Sequence, residues 1–309
     1  MANKFAVSSK TINDIYTAFN RSFNDDLNGL ANMPDSLSPL AKSITTSMDT
    51  VKMPYFFDTG TGMNGWTPPE EKRIDKLLGG VLELTVTDYE KTFEVRLDDI
   101  ESDNLGIYRS QVSALAQNVI TQDDNLIASL LVNGDSTACY DGQNFFSNSH
   151  PTASGTQDNL LAGTLSAETL FSGITAMRKF TRYNGDKINI FPNTLVIPPD
   201  LEKTAIELMD SAVQVKDSAS SDYMNYFKGR INNIIVTPFL TDANDWYLVA
   251  LNQTAKPFIK IVKQGYPKMK NSRPDGDMAF LRNAIMFSAE QKMVIDYYAW
   301  QTAIKFTNA

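Results

Sequence analysis

From Gly106 to Val132 the residues Tyr108, Val112, Leu115, Ala116, Val119, Ile120, Ile127, Leu130 and Leu131 recur at helical spacing and form one apolar stripe. Asp103 or Asn104 can cap the start of this helix, and Asn133-Gly134 can close its end. At ~1.5 Å per residue it is ~40 Å long. A rod of that length constrains the fold more than any other feature, because smaller elements must pack along it as a spine. The stripe breaks at Asp123-Asp124, where an apolar residue is expected.

On the N-terminal side, Ile12, Ile15, Tyr16, Phe19, Phe23 and Leu27 predict an amphipathic helix over 8–30 with Ser8 or Ser9 near its cap. Residues 32–50, rich in Ser, Pro, Asp and Thr, read either as an extended arm lying on neighbouring surfaces or as a frayed tail. A short strand over 52–57 runs into Asp58-Thr-Gly-Thr-Gly62, a hinge. Alternation over 81–87 and again over 92–98 predicts two strands, paired as a hairpin through Asp88 to Lys91.

Beyond the spine, 135–164 is rich in Gly, Ser, Thr and Asn and reads as a long loop suited to surface contact. A helix follows over 166–183, then a strand over 194–197 and a helix over 200–210 with Leu201, Ala205 and Leu208 inward. A polar loop spans 216–225, and strands are predicted over 231–238, 246–251 and within 278–306. The chain is therefore α+β.

Composition narrows the function classes. With 42% hydrophobic and 21% charged residues in 309, the chain is neither disordered nor membranous, and no apolar run approaches the ~20 residues of a spanning helix. The Met-Ala-Asn-Lys-Phe start lacks a signal-peptide layout, so a cytoplasmic site of synthesis is expected. A formal charge of -8 argues against a dedicated phosphate-binding surface, although ordinary solubility charge explains the same number.

Reactive constellations are sparse. His150, the sole histidine, precedes Pro151 and reads as structural or surface; Cys139, the sole cysteine, reads as a buried small hydrophobe and excludes an intrachain disulfide. Asp98, Asp99, Glu101 and Asp103 lack the spacing of a calcium loop and suit the start of a helix. No phosphate-cradling glycine loop is present. No catalytic, metal or cofactor residue is assigned.

Gly65-Trp66, Tyr89, the run 93–101, Gly106-Ile107-Tyr108, the run 139–146 and His150-Pro151, in fixed order, resemble the Mu-like major head subunit family of tailed phages. The resemblance is dense over 60–151, looser to Trp300 and weak before Tyr55. It implies an HK97-type capsid fold and a major head protein that self-assembles into pentamers and hexamers of an icosahedral shell around double-stranded DNA. In that fold 1–59 would be the N-terminal arm and lead-in strand, 60–91 the extended loop, and 92–187 the peripheral domain with its spine over about 106–132. Residues 188–262 would be the axial domain, and 263–309 the return to the peripheral domain. Subunit contacts would then fall on Trp66, Pro68, Pro69, Glu70, Glu71, Lys72 and Arg73 of the loop, with Trp66 and the prolines as an apolar anchor.

For such a shell, a weakly gripping acidic wall lets packaged DNA slide, and the expected partners are further copies of the chain, a scaffold protein, a portal and possible cement protein. A chain running from Met1 to Ala309 implies that no N-terminal scaffolding segment was removed, so the scaffold would be separate. Lys72, Lys76 and Lys91 lie where some relatives form Lys-to-Asn cross-links, but no recipient asparagine is identifiable. The expected place is the virion, assembled in the host cytoplasm. Two alternatives are weaker: an encapsulin-like compartment of the same fold, and a carbohydrate-active or binding protein using Asp98 and Glu101.

Overall fold

The computed structural model describes residues 9–30, 34–54, 81–101, 106–152, 155–183, 185–210, 213–214, 223–224, 227, 229–272 and 281–308. Its helices are α1 (Ser9–Leu30), α2 (Leu97–Glu101), α3 (Gly106–Asn133), α4 (Ala167–Lys179) and α5 (Glu202–Asp210). Strands β1 (Ala41–Thr46), β2 (Thr50–Pro54), β3 (Val81–Thr85) and β4 (Thr87–Arg96) precede the long helix. After it come β5 (His150–Thr152), β6 (Gly155–Gln157), β7 (Leu160–Ala162), β8 (Thr194–Ile197), β9 (Val213–Gln214) and β10 (Tyr223–Met224). The remaining strands are β11 (Asn233–Val236), β12 (Trp246–Val249), β13 (Phe258–Lys263), β14 (Lys268–Asn271), β15 (Ala284–Tyr297) and β16 (Ala303–Thr307).

Two five-stranded sheets organise the chain. The first runs β1-β13-β15-β14, with β4 also paired to β15, and the second runs β11-β8-β12-β16-β7. On the first sheet, Ile12, Ile15, Phe19 and Phe23 of α1 are buried with Tyr108, Val112, Leu115 and Ala116 of α3, over Val95, Met269, Ile285 and Phe287. Phe287 meets Phe19 edge-on at 5.2 Å and stacks on Phe93 at 5.6 Å. Aromatic pairs in these geometries add attraction beyond the area they bury.

The second sheet carries a larger core. Ile127, Ala128 and Leu131 from the far half of α3 join Leu170, Ile174 and Met177 of α4 and the buried strands β8, β12 and β16. Trp246 stacks on Phe306 with ring centres 3.8 Å apart and planes 5° apart. Helix α4 crosses Phe306 at Gly173, where an added Cβ would lie 2.8 Å from the phenyl ring. Only glycine permits that approach.

Four expectations need correction. The strand over 92–98 does not return against 81–87: 87–96 is one strand, antiparallel to β15, and β3 pairs instead with β2. Residues 34–50 are not a frayed tail, since Leu37 and Leu40 are fully buried and β1 lies parallel to β13. The 135–164 stretch is not a surface loop, because Phe145, Phe146, His150 and Asn159 are fully buried in it. The C-terminal strands do not stay together either: β15 belongs to the first sheet and β16 to the second.

Candidate functional site

Trp66, Pro68, Pro69, Glu70, Glu71, Lys72 and Arg73 lie outside the described residues, as do Lys76 and the rest of 55–80. The base of that segment is described. Pro54 pairs with Val81 and Thr50 with Thr85, so the two residues that flank 55–80 face each other at one end of a two-stranded ladder. One side of the ladder carries the exposed Lys52–Glu83 ion pair at 3.1 Å, and the other buries Leu84 beside Val51, Met53 and Leu82 on Ile259 and Ile261 of β13. Asp49 and Asp88, both at the Thr50–Thr85 end of the ladder, pair with Lys263 and Lys292 of the first sheet. The Lys263 hydrogen bond and charge hold the exposed Asp49 carboxyl below the usual range. Lys91 lies within β4, opposite Ala289.

The break in the apolar stripe of α3 falls where the helix passes from one core to the other. Buried Asp123 binds Lys260 of β13 and accepts from Gln291 Nε2 of β15 at 3.2 Å. Buried Asp124 accepts the Leu37 N–H at 2.8 Å and the Ser36 hydroxyl at 3.0 Å. Its burial raises the carboxyl above the usual range, against these two hydrogen bonds. A helical step of ~100° separates consecutive side chains, so neighbouring carboxylates can fasten two different segments to one rod. The stripe thus supplies apolar packing for each core and a polar crossover between them.

A second polar tie closes the far end of α3. The Lys305 side chain is 4% exposed, and its Nζ lies 2.8 Å from Asp135 and 3.2 Å from Asp245. The same ammonium donates to Val132 O at 3.4 Å, on the last turn of the helix. A buried cation of this kind is tolerable because it is paired and hydrogen-bonded. Nothing local in the sequence marks Lys260 or Lys305 as a partner; the interrupted stripe at Asp123-Asp124 is the signal the residues offer.

Little here supports bond-making chemistry. Asp98 is held by Arg96 at 3.2 Å and Asn283 at 3.1 Å, and the Glu101 side chain lies outside the described residues. Cys139 is half-buried, and burial, with a smaller push from Asp141, raises its thiol well above the usual range. Such a thiol is a poor nucleophile. His150 Nδ1 lies 2.6 Å from Asp141, and the ring stacks on Trp300 at 3.8 Å. Among the described residues no group of His, Cys, Asp and Glu is placed to hold a metal, and no helix is long and apolar enough to cross a membrane.

Residues 12–163 and 161–240 match the family model described as Mu-like prophage major head subunit gpT. The major capsid protein of Escherichia phage Mu is 26% identical over 216 residues, 70% of this chain and 49% of that protein. The chain thus spans about half the length of the Mu protein. The Mu-like prophage FluMu major head subunit of Haemophilus influenzae is 23% identical over an alignment covering 78% of this chain and 100% of that protein. In fold, the chain resembles the subunit in the procapsid of bacteriophage JBD30, with a TM-score of 0.56 and 18% identity over 96% of this chain and 75% of the other.

Proposed function

The chain belongs to the Mu-like prophage major head subunit family, and from that premise we propose that it is the major capsid protein of a tailed-phage head, assembling into pentamers and hexamers of an icosahedral shell around double-stranded DNA. The family match over 12–240 carries this reading, since it takes in α1, the spine helix α3 and most of the second sheet. The fold is the α+β, HK97-like capsid fold. The protein's place is the virion.

The work of such a protein is geometric rather than catalytic. Helix α3, shared by both cores, would carry the two sheets as one body while peripheral segments absorb changes during maturation. We assign the first sheet with α1 and α3 to the peripheral domain, and the strands over 194–249 to the axial domain. The axial sheet draws β7 and β16 from outside 188–262. Of segment 60–91, the part through β3 is assigned to the extended loop, with β3 at its base and Trp66, Pro68, Pro69 and Glu70 to Arg73 as candidate contacts with the next copy, whereas 87–91 run in β4 of the first sheet. A separate scaffold, a portal and a cement protein are the further partners proposed, and packaged DNA would meet the shell non-specifically. The family match, and not the fold, favours a phage head over an encapsulin-like compartment.

Expression of the chain alone and with a candidate scaffold, followed by negative-stain electron microscopy, tests the proposal. Closed shells or capsomer rings are expected. A compact monomer under every condition would reduce the relationship to shared ancestry without shared assembly.

A further inference from the structure

The His150 ring is fully buried, and both of its nitrogens face oxygen. Nδ1 is 2.6 Å from Asp141 Oδ2, while Nε2 is 3.1 Å from Asn159 Oδ1 and 3.3 Å from Phe145 O. The Asn159 amide cannot be turned over to change this. Its Nδ2 faces Phe145 O at 2.9 Å, Ala303 O at 3.2 Å and Trp300 O at 3.3 Å, and its Oδ1 accepts the Ser147 N–H at 2.8 Å. Reversal would set oxygen against three carbonyls and an amino group against an N–H donor.

A neutral imidazole carries one N–H and one lone pair, so beside an ionised Asp141 one nitrogen would aim its lone pair at an acceptor inside the core. A doubly protonated ring satisfies both sides. We propose that His150 is held as an imidazolium, ion-paired to Asp141, and that this charged pair clamps 141–159 to the chain turn at Trp300. The short Nδ1 contact fits a charge-assisted hydrogen bond, and the parallel indole of Trp300, 3.8 Å away and tilted by 3°, presents an aromatic face to the cation. Cys139, a further titratable neighbour of the Asp141 carboxylate, keeps its proton because burial pushes the thiol up. The clamp joins three separate segments: the turn after α3, the β5–β7 region and the chain entering β16. It does not depend on assembly.

The sole histidine makes the test direct. The full chain, labelled with nitrogen-15 histidine, is examined by nitrogen NMR at about pH 8, above the ordinary histidine range, in solution or as sedimented particles. Two protonated ring nitrogens are expected. A pyridine-type nitrogen at either position would overturn the assignment, including the case in which the shared proton resides on Asp141. In Asp141→Asn the compensating charge is gone and one pyridine-type nitrogen should appear; an unchanged imidazolium signal would overturn the role given to Asp141. If that variant fails to fold, the wild-type spectrum still decides.

Discussion

Asp124, on the buried side of α3, accepts the backbone N–H of Leu37 at 2.8 Å, so a helix side chain holds the strand-leading segment 36–38 where no ladder does. Adjacent Asp123 reaches the first sheet through Lys260 and Gln291. One interruption in an apolar stripe therefore fastens α3 to two segments distant in sequence. Beyond it, Asp35 accepts the outward Val236 N–H of edge strand β11 at 3.2 Å. Occupying an edge donor in this way blunts unwanted strand pairing.

Replacing Asp124 by Ala leaves the Leu37 N–H buried without its acceptor, which costs about 1–3 kcal/mol. The urea midpoint of the unassembled subunit should fall accordingly. Asp124→Asn tests the charge. Because burial raises the folded-state carboxyl, folding takes up a proton; stability is greatest below the ordinary aspartate range and declines as pH rises through the raised value. The Asn variant should show a shallower decline. Some slope persists through Asp296, raised likewise by burial. An identical slope in both proteins would remove Asp124 as its source.

Lys260 and Asp123 form a pair whose side chains are 17% and 10% exposed. Removing either partner strands a charge in a low-dielectric site, with an expected loss of about 3–5 kcal/mol. Lys260→Met combined with Asp123→Leu strands none, although Gln291 loses an acceptor. The double variant should be more stable than Lys260→Met alone. Simple addition of the two single losses would mean that the pair acts as independent surface charges.

Gly173→Ala places a methyl 2.8 Å from the Phe306 ring. Overpacking of this kind costs about 1–3 kcal/mol. Phe306→Leu, itself destabilising through loss of the Trp246 stack, should partly absorb the alanine, so the two changes together should cost less than their sum. Denaturation of the four proteins of this cycle measures the coupling.

The spine was legible because its spacing is local: Tyr108, Val112, Leu115 and Ala116 declare the first core and Ile127 and Leu131 the second. Partners were not legible, because alternation marks a strand without naming its neighbour. Phe93 pairs with Phe287, far along the chain, and the hairpin expected for it does not form. In 135–164 the polar composition masked a folded region, since three-residue strands and the Asn159 amide, rather than apolar periodicity, hold Phe145 and Phe146 in the core. Leu37 and Leu40 were similarly hidden in a Ser- and Pro-rich stretch whose anchor, Asp124, lies on another element. The contacts proposed for Trp66 to Arg73, which lie outside the described residues, rest on residue types alone.

Trp66 separates two physical roles by where its loss is felt. As a contact with the next copy, flanked by Pro68 and Pro69, it would be ordered by that neighbour, and truncation of a buried interface tryptophan costs about 2 kcal/mol or more. Trp66→Ala should then raise the concentration needed for shell formation by at least about tenfold, while the urea midpoint of the free subunit stays put. As ordinary core of its own subunit, Trp66 would behave oppositely, lowering that midpoint by about 3–5 kcal/mol of stability. Light scattering for assembly and denaturation for the subunit, on the same preparation, decide between them. The proposed contact predicts a change in the first without the second.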